Sequence, residues 1–179
     1  MSTRPIAIGK LPGALLATLL DGRPVGDPEV LIGPGVGVDA AAIAIGGQIL
    51  VAKTDPITFA TDRAAHYLIN VNANDLACLG ATPRWLLVTA LLPADETTAQ
   101  TVQDLFAEIR RACAEHGIEL VGGHTEITDA VTRPILVGQM LGVATEERLL
   151  RPGLGKPGHR LLLTRPIAIE GTALLANQC

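Results

Sequence analysis

Residues 41–55, AAIAIGGQILVAKTD, contain two apolar runs separated by a Gly-Gly pair. Runs of Ile, Val and Ala on either side of two glycines are typical of a tight β-hairpin, because glycine adopts the positive φ angles that two-residue hairpin turns require. The second run brings Thr54 and Asp55 to its end, and we expect Pro56 to stop the strand pairing there. The stretch therefore predicts a pair of antiparallel strands.

Apolar segments on both sides of this hairpin indicate further strands and helices. Residues 62–80 repeat apolar side chains at steps of three and four, the period of a helix, with Asp62 as the expected N-cap and Gly80 as the stop. The other expected elements are helices over 13–20 and 97–117 and strands over 30–32, 83–93, 118–123 and 131–144. Because hairpins occur together with crossovers, this order predicts an α/β (α+β) fold with a mixed or antiparallel sheet and helices on one face.

Composition excludes several classes of partner. The 179 residues carry a formal charge of −4 and include one Trp, one Tyr and two Phe, so neither a basic stripe nor a set of stacking aromatics is available for nucleic acid. The apolar run 13–20 is far shorter than the roughly 18 residues that a membrane span needs. Three cysteines without a paired spacing indicate a reduced, cytoplasmic compartment. We expect no nucleic-acid partner and no membrane partner.

The stretch 151–158, RPGLGKPG, is the best candidate for a linker, because Gly and Pro dominate it. Residues 1–150 are long enough for one domain with its own core. Residues 159–179 begin a new strand and helix, which together cannot bury both of their faces. Either the chain is a fragment of a longer protein, with a truncated C-terminal domain starting at 159, or this tail docks on the first domain or on a partner.

Three aspartates, Asp39, Asp55 and Asp75, lie at or inside the boundaries of apolar elements. Capping of a turn or helix is a common role for such a residue. If the fold brings the three within ~5 Å, however, each pair repels by about 3 kcal/mol at an effective dielectric near 20. A divalent cation would offset that repulsion, and carboxylate oxygens together with waters and phosphate suit Mg²⁺.

The loop that precedes the first aspartate, GPGVG at 33–37, is rich in glycine. Because glycine lacks a Cβ atom, the backbone N–H groups near Gly35 and Gly37 can approach phosphate oxygens closely. The loop matches neither GxGxxG nor GxxxxGK[ST], so a solvated surface turn is an equally open interpretation.

Four segments in order, GVGVDAA, KTDPI, VNANDLACLGATP and VGGHTEIT, resemble motifs of one superfamily. It includes AIR synthase (PurM), selenophosphate synthetase, thiamine-monophosphate kinase and the hydrogenase maturation factor that dehydrates a carbamoylated cysteine. The resemblance covers nearly the whole chain and is closest to the AIR synthase-related and hydrogenase-maturation (HypE-like) branches. It implies a PurM-like N-terminal ATP-binding domain that forms a homodimer. The two sheets would close into a barrel, with ATP and Mg²⁺ near the interface.

The resemblance also implies roles for individual residues. Positions that match metal-binding carboxylates are Asp39, Asp55 and Asp75, with Glu126 as an additional ligand, and positions near the nucleotide are Gly35, Gly37, Lys53, Thr54, Asn72 and His124. A solvated strand lysine, a core or capping histidine and an exposed glutamate are the alternatives for Lys53, His124 and Glu126. Several relatives have two adjacent aspartates where this chain has Val38 and Asp39, so one metal contact is missing here.

The expected function is ATP- and Mg²⁺-dependent phosphoryl transfer that activates an amide, an acyl group or a similar small acceptor. A non-catalytic nucleotide-binding or dimerisation module is the alternative. The catalytic Cys or selenocysteine region of selenophosphate synthetase has no counterpart near this N-terminus, and Cys179 is assigned no role. Nothing in the sequence identifies the acceptor.

Overall fold

The computed structural model of the chain describes residues 5–20, 25–59 and 63–176. Its helices are α1 (Gly13–Leu20), α2 (Ala64–Cys78), α3 (Ala99–Glu115) and α4 (Ile169–Ala176). Its strands are β1 (Val30–Ile32), β2 (Ala41–Ile45), β3 (Gln48–Ile57), β4 (Thr82–Pro93), β5 (Glu119–Thr128) and β6 (Ile135–Ala144). Within these ranges no helix is long and apolar enough to cross a membrane.

The six strands form one sheet in the order β1-β2-β3-β6-β4-β5. All neighbours are antiparallel except β4 and β5, which are parallel and joined through α3. The predicted hairpin is present, because β2 and β3 pair from Ala41 opposite Ala52 to Ile45 opposite Gln48. The predicted mixed sheet in an α/β fold is therefore confirmed.

Helices α2 and α3 lie on one face of the sheet, as predicted. Alternate strand residues point toward them and are buried, among them Val51, Leu86 and Met140, each exposed by 0%. From the helices, Leu68 and Ile109 are equally buried. Burial alternates along each central strand because successive side chains point to opposite faces of a sheet. This apolar layer forms the core.

The other side of the sheet carries apolar side chains that are only half-buried. We call this surface the helix-free face and define it by Leu50, Trp85, Leu87, Val137 and Leu141. No helix in the described ranges packs on it, and neither α1 nor α4 contacts another element there. A sheet face of this kind usually gains stability when another layer covers it.

Several local expectations are corrected. Strand β3 continues through Pro56, which lies opposite Val137 on β6. The first residue of β2 lies opposite Ala52, so the later residues of β3 have no partner on that side and a missing N–H is tolerated there. Helix α2 begins at Ala64, after Arg63 with φ 60°, and the expected cap Asp62 lies outside the described residues.

The segment after β6 differs from the expectation in one respect. Helix α4 forms, but no strand forms between 159 and 168, within the described residues. The three leucines 161–163 are instead 72–102% exposed. A strand needs a neighbour to satisfy its backbone hydrogen bonds, and no strand of the described sheet extends to these residues. Cys179 lies outside the described residues.

Candidate functional site

The three aspartates singled out in the sequence converge on one lysine. The Nζ atom of Lys53 lies 2.7 Å from Asp75, 3.4 Å from Asp55 and 3.9 Å from Asp39. Because each of these carboxylate oxygens lies within 4 Å of the same Nζ atom, the three oxygens are also close to one another. We call the four residues the aspartate–lysine cluster. The Lys53 side chain is 9% exposed, which excludes the interpretation of a solvated strand lysine.

Three different elements build this cluster. Lys53 and Asp55 are two residues apart on β3, so they share the face toward α2, where Val51 and Ile57 are buried. Asp75 comes down from α2 above them, and Asp39 follows the glycine loop at the start of β2. The sheet therefore contributes two charges to one point, and the helix and the loop contribute one each.

The electrostatics of the cluster are dominated by the carboxylates. Burial alone would lower the pKa of Lys53, but the hydrogen bond to Asp75 and the charges of Asp75, Asp55 and Asp39 outweigh it and raise that pKa above its ordinary value. Lys53 is therefore a cation at neutral pH. Three negative charges and one positive charge leave a formal charge of −2 on the cluster.

Backbone capping does not account for these aspartates. Asp27 shows what a capping aspartate looks like, since its Oδ1 atom accepts a hydrogen bond from the N–H of Glu29 at 2.9 Å. In the described ranges, Asp39, Asp55 and Asp75 accept no such bond, and their close polar contact is with Lys53. Their convergence is a tertiary feature, separate from local turn geometry.

The glycine loop ends in a tight turn beside the cluster. The N–H of Val38 donates to the carbonyl of Gly35 at 3.2 Å, and Gly37 has φ 78°. A side chain at Gly37 would be strained at this φ, although among the described residues nothing beyond its chain neighbours lies within 4 Å of where its Cβ would be. The described residues therefore leave space at Gly37.

Asn72 lies beneath the cluster and is fully buried. Its Nδ2 atom donates to the carbonyl of Leu68 at 2.9 Å, while its Oδ1 atom has no partner among the described residues. The amide packs against Gly138, which is the register partner of Asp55 on β6. Asn72 therefore supports the floor of the site and does not line its open surface.

Three other predicted residues do not join the cluster. Thr54 is exposed on the opposite side of β3 from Lys53. His124 and Glu126 lie on β5, with β6 and β4 between them and β3, and their partners Thr89 and Leu91 place them on the helix-free face. The Nε2 atom of His124 lies 3.5 Å from Glu126. In this single copy they form a separate pair.

A cleft of about 740 Å³ adjoins the cluster at Asp55. Its lining includes Lys10, Phe59, Tyr67 and Val71, so apolar and aromatic walls surround a few polar groups. Such a composition is typical of small-molecule sites. The sequence analysis missed these residues because no motif or spacing marks them: Lys10 lies in the segment before α1, far from Asp55 in the chain.

Comparison with known proteins establishes the family. Residues 37–144 match the family described as AIR synthase related protein, N-terminal domain. This match covers more than half of the chain. The chain belongs to the AIR synthase-related family. Its match begins at Gly37 and includes every residue of the aspartate–lysine cluster.

Individual relatives of this AIR synthase-related chain agree with that assignment. A selenide, water dikinase from Geobacter metallireducens is 31% identical over 162 residues, which are 84% of this chain and 45% of the relative. The structure of AaThiL complexed with AMPPCP and TMP is similar with a TM-score of 0.55 at 20% identity, covering 73% of this chain and 40% of that one. The HypE-HypF complex gives a TM-score of 0.56 at 17% identity, over 77% and 44%.

The structural similarities establish the fold, and each match covers only part of the relative. The two structural similarities show the fold, and they confirm the predicted PurM-like N-terminal architecture. The AIR synthase-related chain spans less than half the length of the relatives named here.

The chemistry of the cluster suits a divalent cation in part. Three carboxylates in a cluster with a formal charge of −2 are appropriate donors for Mg²⁺. Within the described ranges, however, no three His, Cys, Asp or Glu side chains stand ready as a metal-binding group. The centre of the carboxylates is held by the Lys53 ammonium.

Proposed function

We propose that this chain is the nucleotide-binding domain of an ATP- and Mg²⁺-dependent phosphoryl-transfer enzyme. The observation that carries the proposal is the convergence of Asp39, Asp55 and Asp75 on one point beside a glycine loop. Family membership supports it, because AaThiL was solved with AMPPCP, an analogue of ATP, and another relative is a dikinase. In such reactions a P–O bond of the nucleotide breaks and the acceptor oxygen takes the phosphoryl group.

The proposed division of labour follows from the positions of the groups. Asp39, Asp55 and Asp75 would hold Mg²⁺, which neutralises phosphate charge when bound. The backbone near Gly35 and Gly37 would donate N–H groups to phosphate oxygens. The open cleft beside Asp55, with its apolar and aromatic lining, would take the organic part of a ligand. Its lining suits a small acceptor or the nucleotide base. For the acceptor we propose an amide or acyl group that is activated by phosphorylation.

Roles for three further residues remain proposals. Thr54, His124 and Glu126 lie outside the aspartate–lysine cluster of one copy, so they would reach a nucleotide only by another route. We propose that a second copy supplies it: the helix-free faces of two copies would pack together and close their sheets into a barrel. Because β5 carries His124 and Glu126 on that face, a homodimer would bring this pair to the interface.

The experiment is calorimetric titration of the chain with AMPPCP, with and without Mg²⁺. We expect Mg²⁺ to strengthen binding and Asp55→Asn to remove that enhancement. Asp95→Asn is the matched control, because it makes the same chemical change on the exposed turn between β4 and α3. Equal binding with and without Mg²⁺, or an unchanged enhancement in Asp55→Asn, would count against the metal assignment.

A non-catalytic nucleotide-binding or dimerisation module is the second candidate. It is favoured by the centre of the cluster, where a lysine ammonium stands in place of a metal-binding group. Release of ADP from ATP in the presence of Mg²⁺ separates the two, because an enzyme of this class hydrolyses ATP slowly without its acceptor. Nucleotide binding without any ADP release, in a chain that includes the second domain, would favour the module.

Domain boundaries also remain a proposal. We propose that residues 1–150 are the nucleotide-binding domain, that 151–158 are a linker and that 159–179 open a second domain. The three exposed leucines 161–163 support this division, because they need a partner surface. The cysteine pattern supports a cytoplasmic location.

A further inference from the structure

We propose that Lys53 is an internal counter-ion of the aspartate cluster, and that its ammonium must leave the carboxylates before a divalent cation can bind them. The inference rests on the proposed metal site and assigns to one side chain the control of entry to it. Nothing in the family match or in the names of the relatives specifies this role.

The Lys53 ammonium occupies the position that a metal bound by the aspartates would take. Its Nζ atom is within 4 Å of carboxylate oxygens from all three aspartates, and the closest, on Asp75, is at a hydrogen-bond distance of 2.7 Å. Mg²⁺ binds oxygen at about 2.0–2.1 Å and demands near-ideal octahedral geometry. A cation that bonded two of these aspartates would lie within the space that Nζ now holds. The ammonium and the metal therefore compete for one position.

Burial keeps the Lys53 ammonium among the carboxylates. A side chain that is 9% exposed and within 4 Å of three carboxylates is held in place by them, since little water remains to solvate its charge. The carboxylates are also the source of the charge that would attract a metal. As long as Lys53 remains among them, its positive charge repels a second cation and so lowers the net attraction of the cluster for a metal.

The Lys53 side chain is flexible enough for its ammonium to leave the carboxylates. Its ammonium is a point charge on a four-carbon stem with several rotatable bonds, so it can withdraw without moving β3. An ammonium displaced by a metal stays tethered next to the glycine loop, where phosphate oxygens would replace the lost carboxylates. A lysine that instead assists the metal in place would strengthen metal binding, which is the opposite prediction.

The test uses Mn²⁺ as a paramagnetic substitute for Mg²⁺, without nucleotide. Free Mn²⁺ is measured by electron paramagnetic resonance for the wild-type chain and for Lys53→Met. We expect Lys53→Met to bind Mn²⁺ about tenfold or more tightly than wild type, because one competing charge is gone. Lys156→Met, which removes an exposed lysine in the 151–158 segment, is the control and leaves Mn²⁺ affinity unchanged. Equal or weaker Mn²⁺ binding by Lys53→Met overturns the proposal.

Thermal unfolding gives a second readout. Without metal, Lys53→Met leaves three carboxylates close together with no cation, so we expect a lower Tm than for wild type, recovered by millimolar Mg²⁺. A Tm that Mg²⁺ raises equally in both proteins overturns the proposal. If Lys53→Met does not fold, Asp75→Asn and the double variant Lys53→Met/Asp75→Asn are compared. The double variant has two carboxylates and no ammonium, so we expect it to bind Mn²⁺ more tightly than Asp75→Asn does. Equal binding by these two variants overturns the proposal.

The two proposals fail in different experiments. If AMPPCP binding shows no dependence on Mg²⁺ while Lys53→Met gains Mn²⁺ affinity, the proposed function is wrong and the role of Lys53 stands. If Mg²⁺ strengthens AMPPCP binding while Lys53→Met gains no Mn²⁺ affinity, the proposed function stands and the counter-ion role is wrong.

Discussion

Asp75 on helix α2 and Lys53 on strand β3 are joined by a hydrogen-bonded ion pair with an Oδ2–Nζ distance of 2.7 Å. The two side chains are 23% and 9% exposed, so the pair is shielded from water more than the other contacts of the cluster. Asp39, by contrast, is 60% exposed and lies 3.9 Å from the same ammonium. The contact with Asp75 therefore ties the helix to the sheet more firmly than the contact with Asp39 ties the glycine loop to it.

This difference predicts unequal losses of stability in two matched variants. Asp75→Asn removes a charge-assisted hydrogen bond to a buried lysine, and we expect the free energy of unfolding to fall by about 1–2 kcal/mol. Relief of repulsion between the carboxylates offsets part of the loss. Asp39→Asn acts on an exposed contact and should cost less than about 0.5 kcal/mol. Urea denaturation measures both, and equal losses would contradict the assignment of Asp75 as the main partner.

The contact between Asn72 and Gly138 predicts an energetic coupling across the core. A Cβ atom at Gly138 would lie 2.7 Å from Nδ2 of Asn72 and 3.1 Å from Cδ1 of Leu68, so Gly138→Ala pushes α2 away from β6. We expect a loss of about 1–3 kcal/mol from this overpacking. In an Asn72→Ala background the new methyl group meets no amide, and the loss should shrink by about 1 kcal/mol.

The control for that cycle is a glycine with space around it. A Cβ atom at Gly122 would meet Leu87 at 3.8 Å, an ordinary van der Waals contact, so Gly122→Ala should change the stability little and show no coupling to Asn72→Ala. Additive losses for Gly138→Ala and Asn72→Ala, measured by urea denaturation of all four proteins, would contradict the packing described here.

Local patterns in the sequence predicted most of the elements and part of the site. The strand β3 was predicted, and because side chains alternate along any strand, its two-residue period accounts for Lys53 and Asp55 lying on one face. That Lys53 occupies the centre of the carboxylates depends on how α2 packs across β3 and β6. Gly138 permits this approach by having no side chain, and no local pattern encodes it.

A shift of register explains the placement of His124 and Glu126. Between β4 and β5 the pairing passes from Leu86 opposite Leu120 to Leu87 opposite Gly122, so one residue of β5 is skipped. Without this bulge, alternation from the helix side at Leu120 would put His124 on that same side. A one-residue shift moves every later side chain to the other face. The sequence does not mark the bulge.

The two described cysteines should differ in reactivity. Cys78 is exposed, whereas Cys113 on α3 is 2% exposed, and burial, with a contribution from the charge of Glu119, raises the pKa of its thiol from 9.0 to about 11. At pH 8 we expect iodoacetamide to modify Cys78 and spare Cys113 in the folded chain, because the thiolate is the reactive form. Peptide mass spectrometry identifies the site, and urea should expose both. Rapid modification of native Cys113 would contradict its burial.

The same thiol predicts a dependence of stability on pH. Folded Cys113 keeps its proton up to about pH 11, whereas the thiol of the unfolded chain ionises above pH 9.0. Between these values the unfolded state binds fewer protons, so the contribution of this thiol to stability is complete below pH 9.0 and is lost as pH rises toward 11. Cys113→Ala should flatten this part of the pH profile in urea denaturation. An unchanged slope in that variant would show that other groups cause it.

The helix-free face predicts self-association with an optical signal. Trp85 is the single tryptophan of the chain, lies on this face opposite Leu141 on β6, and has the guanidinium of Arg84 4.6 Å from its ring centroid. If two copies pack these faces together, the emission of Trp85 should move to shorter wavelength as protein concentration rises, because the ring loses water.

Leu141→Lys places a charge in that interface, so this variant should show no wavelength shift and should sediment as a monomer. Leu154→Lys, at a residue that is 61% exposed in the 151–158 segment, should leave both unchanged. A wild-type chain that sediments as a monomer at micromolar concentration would leave the apolar face to a different partner.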